Sequence, residues 1–333
     1  MKKPFQKAPP DQTQRIRRWF QLGFLALNVW IATQFYLFVR YYETAGVSGV
    51  SERPPGVEGW LPIASLMNLK VLLYTGEVPP VHPAGTFLLI AFVLISWLQR
   101  KSFCGWLCPV GTVSQYLGKI RRKTFTLPRW LDLPLRSLKY ILMGLFLYVI
   151  AVMSVDQIKA FLSGPYGIVA DVKMLNFFRT LTATGLIVMA LLVVLSIFVK
   201  NFWCRYLCPY GGLLGLLGMI GPLRIKRDTA LCIDCGKCTK GCPSSLNVAQ
   251  LVQIQSAECT GCLSCVASCP VENSLYMSVV GRRRVPLWVM ASGIAVLFFG
   301  CVAIAHFTGH WDTNLPQRVY MQLVPQANQF EHP

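Results

Sequence analysis

Charged side chains are scarce: they make up 14% of the 333 residues, where a soluble domain carries about 25%. Acids are scarcer still, 14 against 32 Lys and Arg, and histidine occurs only four times. With 54% apolar side chains, that shortage speaks against a water-soluble enzyme. No collagen repeat, sustained heptad or polar low-complexity tract is present, so fibrous, coiled-coil and disordered classes are excluded. No nucleophile with a triad and no phosphate-binding loop occurs, and turnover of a small substrate by this chain alone is not expected. The charged start runs into a full-length apolar segment without a small-residue cleavage site, so that segment is expected to stay as an anchor. Cysteine is plentiful. Twelve of the 13 fall into regularly spaced groups that read as metal ligands rather than as a disulfide frame.

Five apolar segments are candidates to cross a hydrocarbon layer of about 30 Å: Trp19 to Val39, His82 to Leu98, Leu138 to Val155, Leu181 to Val199 and Val285 to Phe307. The second and third are short and would cross with little tilt or by reaching into the interface. Residues 1–18, 99–137 and 200–284 hold 24 of the 32 Lys and Arg and six of the 14 acids, while the remainder balances at eight of each. Lys and Arg are retained on the cytoplasmic side, which places the N-terminus and these segments inside and residues 308–333 outside. Arg121-Arg122-Lys123 and Arg282-Arg283-Arg284 each abut a membrane segment, where this rule alone puts them, so no nucleic-acid partner is expected.

Between Leu223 and Ser278, Cys232, Cys235, Cys238 and Cys242 follow C-x2-C-x2-C-x3-C-P, ending in Pro243. Cys259, Cys262, Cys265 and Cys269 repeat the pattern, ending in Pro270. A cubane of iron and sulfide needs four soft thiolates, and two-residue spacers wrap a tight loop around three of its corners. Zinc also takes four thiolates but usually from two C-x2-C pairs across a longer gap. Gly236, Gly241 and Gly261 suit a backbone that curves closely around such a body. Leu223, Ile225, Leu246, Val248, Ile254, Leu275 and Met277 form the expected core, too small to hold the lobe without metal.

A second repeat lies at the membrane edge. Cys104-Gly105-Trp106-Leu107-Cys108-Pro109 and Cys204-Arg205-Tyr206-Leu207-Cys208-Pro209 stand 100 residues apart, and positions 103–120 and 203–220 share eight of 18 residues. Gly56 and Gly59 before Met67, and Gly164 and Gly167 before Met174, echo it more faintly. A duplicated two-helix hairpin, related by an axis along the membrane normal, would bring Cys104, Cys108, Cys204 and Cys208 together. Three readings stay open: a third metal centre, paired redox thiols, or reduced cysteines packed as small apolar groups.

The Leu223–Ser278 stretch resembles a bacterial two-[4Fe-4S] ferredoxin. In such proteins the fourth cysteine of each run binds the other cluster. The resemblance implies one site of Cys232, Cys235, Cys238 and Cys269 and another of Cys259, Cys262, Cys265 and Cys242. With the membrane helices and the two C-x3-C-P motifs, residues 19–307 resemble the membrane ferredoxin family. It includes NapH-type and MauN-type proteins and the C-terminal module of the NosR and NirI regulators. That resemblance implies a bacterial inner-membrane electron carrier working between quinol or a cytoplasmic donor and a periplasmic redox system. A fifth span and outer tail depart from the NapH pattern, and no flavin-binding domain precedes the first helix, so flavin is not expected. The expected fold is a membrane all-α helical bundle of about five transmembrane helices in a two-hairpin repeat, with a small α+β ferredoxin-like domain. Its parts are an N-terminal tail 1–18, a membrane region 19–221, the two-cluster domain 222–284, a fifth helix 285–307 and a tail 308–333. The competing function is a redox-sensing or metalloprotein-maturation factor.

Several residues stand outside these motifs. His82, His306 and His310 lie toward the outer side, with His306 and His310 on one expected helical face. They read more simply as interfacial hydrogen-bonding groups than as quinone, haem or metal ligands, and no haem site is evident. Leu61 to Tyr74 is an apolar helix too short to span, expected to lie in the interface or re-enter. Glu58, Glu77, Asp156 and Asp171 read as solvated loop acids, with quinol-proton acceptance as the alternative. Met67, Met174 and Cys301 read as packing residues, and Trp19, Trp60, Trp288 and Trp311 as interfacial anchors. Lys226, Arg227, Lys237 and Lys240 would raise the potential of nearby clusters and steer an acidic donor.

Overall fold

A computed structural model describes residues 7–8, 11–121, 125, 127–279 and 284–332. Arg122, Lys123, Arg282 and Arg283 of the two basic runs lie outside the described residues. The chain divides into two compact units, one drawn from 1–25, 92–143 and 189–297, the other from 26–91, 144–188 and 298–333.

Three described helices are long and apolar enough to cross a membrane: Thr13–Glu43, Arg129–Val152 and Trp288–Phe307. In the first two only 17% and 11% of the apolar window is buried, and outward-facing apolar surface on that scale belongs against lipid rather than water. Ala183–Phe198 passes the same test only together with Ala170–Arg179, from which it bends by 83°. Pro83–Leu98 has 16 residues, a rise of about 24 Å at 1.5 Å each. The structure thus has three such helices, or four with the bent pair, where the sequence suggested five.

Two expected boundaries move. The helix from Arg129 ends at Val152 rather than Val155, because Ser154 caps a new helix, Val155–Ser163, through a reciprocal capping box with Gln157. The last long helix starts at Trp288 rather than Val285, whose N–H instead donates to Met277 O.

In the first unit a three-stranded antiparallel sheet, β1 (Arg224–Arg227), β2 (Gln253–Ile254) and β3 (Leu275–Ser278), has the order β2-β1-β3. Ile225 stands opposite both Ile254 and Met277, so alternation puts one apolar face inward. All seven expected core residues of this lobe are buried.

In the second unit Pro62–Thr75 packs on Val155–Ser163 through Met67, Val71, Ile158 and Leu162, so this apolar helix has a partner of its own. The segment after Phe307 is no loose tail. Tyr320 of Gln317–Leu323 meets the rings of Phe38 and Tyr42 at 5.3 and 5.6 Å, and Lys173 Nζ donates to Ala327 O and Phe330 O.

Candidate functional site

The two cysteine runs share one backbone device. The second residue after the first cysteine and the fourth, Asp234 and Gly236 in one run and Gly261 and Leu263 in the other, all have φ between 55° and 69°. Asp234 and Leu263 hold this left-handed conformation at a cost of the kind that marks functional backbone. Left-handed residues interleaved with ordinary ones turn successive N–H groups to one side, a concavity suited to an anion. Short helices Lys237–Lys240 and Ser264–Ala267 follow and carry the third cysteines, Cys238 and Cys265.

The fourth cysteines cross over. One cavity is lined by Cys232, Cys235, Cys238 and Cys269, another by Cys242, Cys259, Cys262 and Cys265. In the first, Cys235 is exposed and Cys232 half-buried; all four cysteines of the second are buried. Among the described residues no group of His, Cys, Asp or Glu is disposed to hold a single metal ion. Zinc would draw four sulfurs to about 2.3 Å from one centre, whereas sulfurs spread around a cavity suit a body with ligand positions at its corners. The residues therefore fit a cubane. Around the buried set, Gln14 Nε2 donates to Cys262 O at 2.9 Å. Burial pushes the Cys262 thiol up, but the Arg17 guanidinium and the Ser264 donors outweigh it and hold it below the ordinary thiol range.

The C-x3-C-P cysteines also converge. Cys108 and Cys208 cap Pro109–Ile120 and Pro209–Ile220, two helices of equal length. Cys104 and Cys204 line one cavity with Lys101, Asn201 and Glu258. Burial pushes the Cys104 thiol up to about 12 and the Cys108 thiol to about 11. Glu258, despite burial, is held below the ordinary carboxylate range by Lys101 and Lys139; Lys139 Nζ donates to it directly. A Cβ on Gly111 would stand 2.4 Å from Cys104 O, so only glycine fits there. Gly111→Ala is expected to cost about 1–3 kcal/mol by overpacking, seen as a lowered thermal midpoint in detergent; an unchanged midpoint would refute this tight turn.

In the second unit the loop acids behave differently from expectation. Glu58 and Asp171 are buried, not solvated, and both pair with Arg53, at 2.6 and 2.7 Å. His82 lies in the same cluster: its Nδ1 is 3.1 Å from Arg53 Nη2 and 3.7 Å from Glu58 Oε1, and its Nε2 donates to Gly167 O at 2.9 Å. Glu77 and Asp156 remain exposed. His306 and His310 do not share a helical face, because the helix ends at Phe307 and Gly309 turns the chain with φ +71°. Nothing local in the sequence distinguishes Arg17, Arg53 and Lys101 from solvated charges; only their burial in the fold does.

Two family models match. One described as a 4Fe-4S binding domain matches twice, at residues 81–128 and 181–228, and one described as a 4Fe-4S dicluster domain matches residues 224–270. The chain is 45% identical to a protein of Escherichia coli K12, YccM, named for electron transport, over 95% of this chain and 91% of the relative. It is 30% identical to the methylamine utilization ferredoxin-type protein MauN of Methylorubrum extorquens, over 68% and 78%. With the ferredoxin-type protein NapH of Escherichia coli K12 it shares 27%, over 61% and 70%. No solved structure matches.

Proposed function

This chain belongs to the NapH- and MauN-type family of membrane-bound ferredoxins, and from that membership we propose that it exchanges electrons with a soluble acidic redox protein and passes them through two [4Fe-4S] clusters. Its role is that of a membrane iron–sulfur electron-transfer protein. One cluster is assigned to Cys232, Cys235, Cys238 and Cys269, the other to Cys242, Cys259, Cys262 and Cys265. The crossed lining of the two cavities carries this reading. When bound, each cluster supplies a site that gains and gives back a single electron.

The chain's own residues set direction and access. Exposed Cys235 and Ile233 make the first cavity the place where a partner comes near, with exposed Lys237 and Lys240 on the short helix that follows. Burial of all four cysteines around the second cavity excludes water there, so this set works inside the protein. Crossing over of Cys242 and Cys269 gives each run a covalent tie to both sites.

The topology follows from charge: residues 1–18, 99–137 and 200–284 face the cytoplasm of a bacterial inner membrane, and residues 308–333 face the periplasm. Pro83–Leu98 and Ala183–Phe198 complete five crossings as the equivalent helices of a duplicated hairpin, which two matches to one family model, 100 residues apart, support. The membrane region then runs over 19–221 and the two-cluster lobe over 222–284.

Anaerobic purification followed by iron and sulfide analysis and low-temperature EPR through a potential titration tests the assignment. Colourless, iron-poor protein would refute it. Reduction by an acidic ferredoxin- or flavodoxin-like donor is expected to slow by about tenfold from low to high salt; salt-independent rates would instead favour quinol as the donor.

A further inference from the structure

Each C-x3-C-P copy holds half a ligand set. Residues 81–128 contain Cys104 and Cys108, and residues 181–228 contain Cys204 and Cys208, two thiols apiece where an iron–sulfur cluster takes four. The copies interlock. Gly118 faces Ser196 O at 3.9 Å from its Cβ position, and Gly218 faces Ser96 O at 3.1 Å and Lys101 N at 2.9 Å. These exchanges are reciprocal at an offset of 100 residues. They bring Cys104 and Cys204 to one cavity, with Cys104 O and Cys108 Cβ 2.4 and 3.7 Å from the Cβ position of Gly111.

Into the same space projects Lys101, 3% exposed. Its Nζ and Cys208 Sγ each stand 3.4 Å from the position a Cβ on Gly211 would take. Among the described residues Lys101 forms no ion pair. Glu258, the acid that reaches it electrostatically, is bound by Lys139; Asp132 is bound by Arg136 and Arg205. A buried ammonium without an anion costs several kcal/mol.

We propose that Cys104, Cys108, Cys204 and Cys208 together hold one further [4Fe-4S] cluster, shared between the two copies, with Lys101 as its counter-charge. Four thiolates around an oxidised cubane leave roughly two net negative charges, which the surplus cation offsets. The site would take up and return one electron with no bond made or broken. It adjoins the buried set: a Cβ on Gly105 would lie 2.7 Å from Thr260 O, Trp106 Nε1 donates to Gly261 O at 3.1 Å, and Pro243 and Ser244 line the same cavity. This makes it the station beyond the second cluster, an inference that rests on the electron-transfer reading above.

The full-length protein, purified anaerobically in detergent, is compared with the fourfold Cys→Ala variant and with Lys101→Gln. Iron and labile sulfide are expected to fall from about twelve to about eight per chain in the fourfold variant, with the EPR signals of the other two clusters retained. Counts that stay unchanged while those signals persist overturn the proposal. So does a wild-type count of about eight, which leaves the two-cluster function standing and needs no variant; a wild type without iron would sink both. Lys101→Gln is expected to keep about twelve iron and to lower the midpoint potential of one centre alone, since the more negative reduced form loses its cation. Three unmoved potentials overturn the role of Lys101.

Discussion

Glu58→Ala is expected to cost the second unit about 3–5 kcal/mol, the range for breaking a buried ion pair from one side. Glu58 is fully buried and uses both oxygens. Oε1 accepts from Arg53 Nη1 at 2.6 Å and Thr313 Oγ1 at 2.8 Å, and Oε2 accepts from Gly85 N at 2.9 Å. Truncation leaves Arg53 with Asp171 as its remaining acid partner, and it strands a hydroxyl and a backbone N–H. Glu58→Gln keeps the shape and should cost less, about 1.5–3 kcal/mol. A pH dependence follows. Arg53 and His82 overcome the effect of burial and hold Glu58 at about 2, against an ordinary value of 4.5. A depressed carboxylate stabilises fully above its unfolded value and loses that contribution as pH falls through the folded one. Wild-type stability should therefore fall between about pH 4.5 and 2 more steeply than that of Glu58→Gln. Thermal unfolding in detergent across that range checks both points; a loss under 1 kcal/mol for Glu58→Ala, or parallel pH profiles, would refute the network.

Which features were legible in the sequence follows from how local their causes are. The cysteine runs were readable because a cluster loop is made by spacing within a dozen residues. The lobe's core was readable because period-two alternation marks Ile225 and Met277 without knowledge of their partners. The offset of 100 between the two C-x3-C-P motifs was readable because glycine is required wherever two backbones meet, as at Gly118 and Gly218. Charge was not readable in this way. Counting Lys and Arg by segment treats all of them alike, so it cannot single out Arg17, Arg53 and Lys101, whose burial depends on residues far along the chain. For the same reason Glu58 and Asp171 looked like solvated loop acids: Arg53 is 118 residues from Asp171, and Thr313, which donates to Glu58, is 255 residues from it. The packing of residues 308–332 escaped because a polar, proline-bearing segment gives no periodic signal until Phe38 and Tyr42 are beside it.

Cys262→Ser and Cys235→Ser are expected to part ways, because burial decides what can replace a missing ligand. Either change removes one thiolate from a set of four, but Cys235 is exposed and Cys262 is buried behind Gln14 and Arg17. A small thiol from solution can reach the first position and not the second. The Cys235 variant should therefore recover its cluster when iron, sulfide and excess 2-mercaptoethanol are supplied. The Cys262 variant should stay about four iron short and fail to pass electrons inward from the first site. Folding should diverge as well. A lobe of this size depends on metal for much of its stability, and its strands span only four, two and four residues. Loss of the buried cluster removes the ties that Cys242 makes from the other run, so the Cys262 variant should be cut within residues 222–279 by protease concentrations that spare the wild type. Equal rescue of both variants, or full iron in the Cys262 variant, would mean that the buried cavity is not where the second cluster is held.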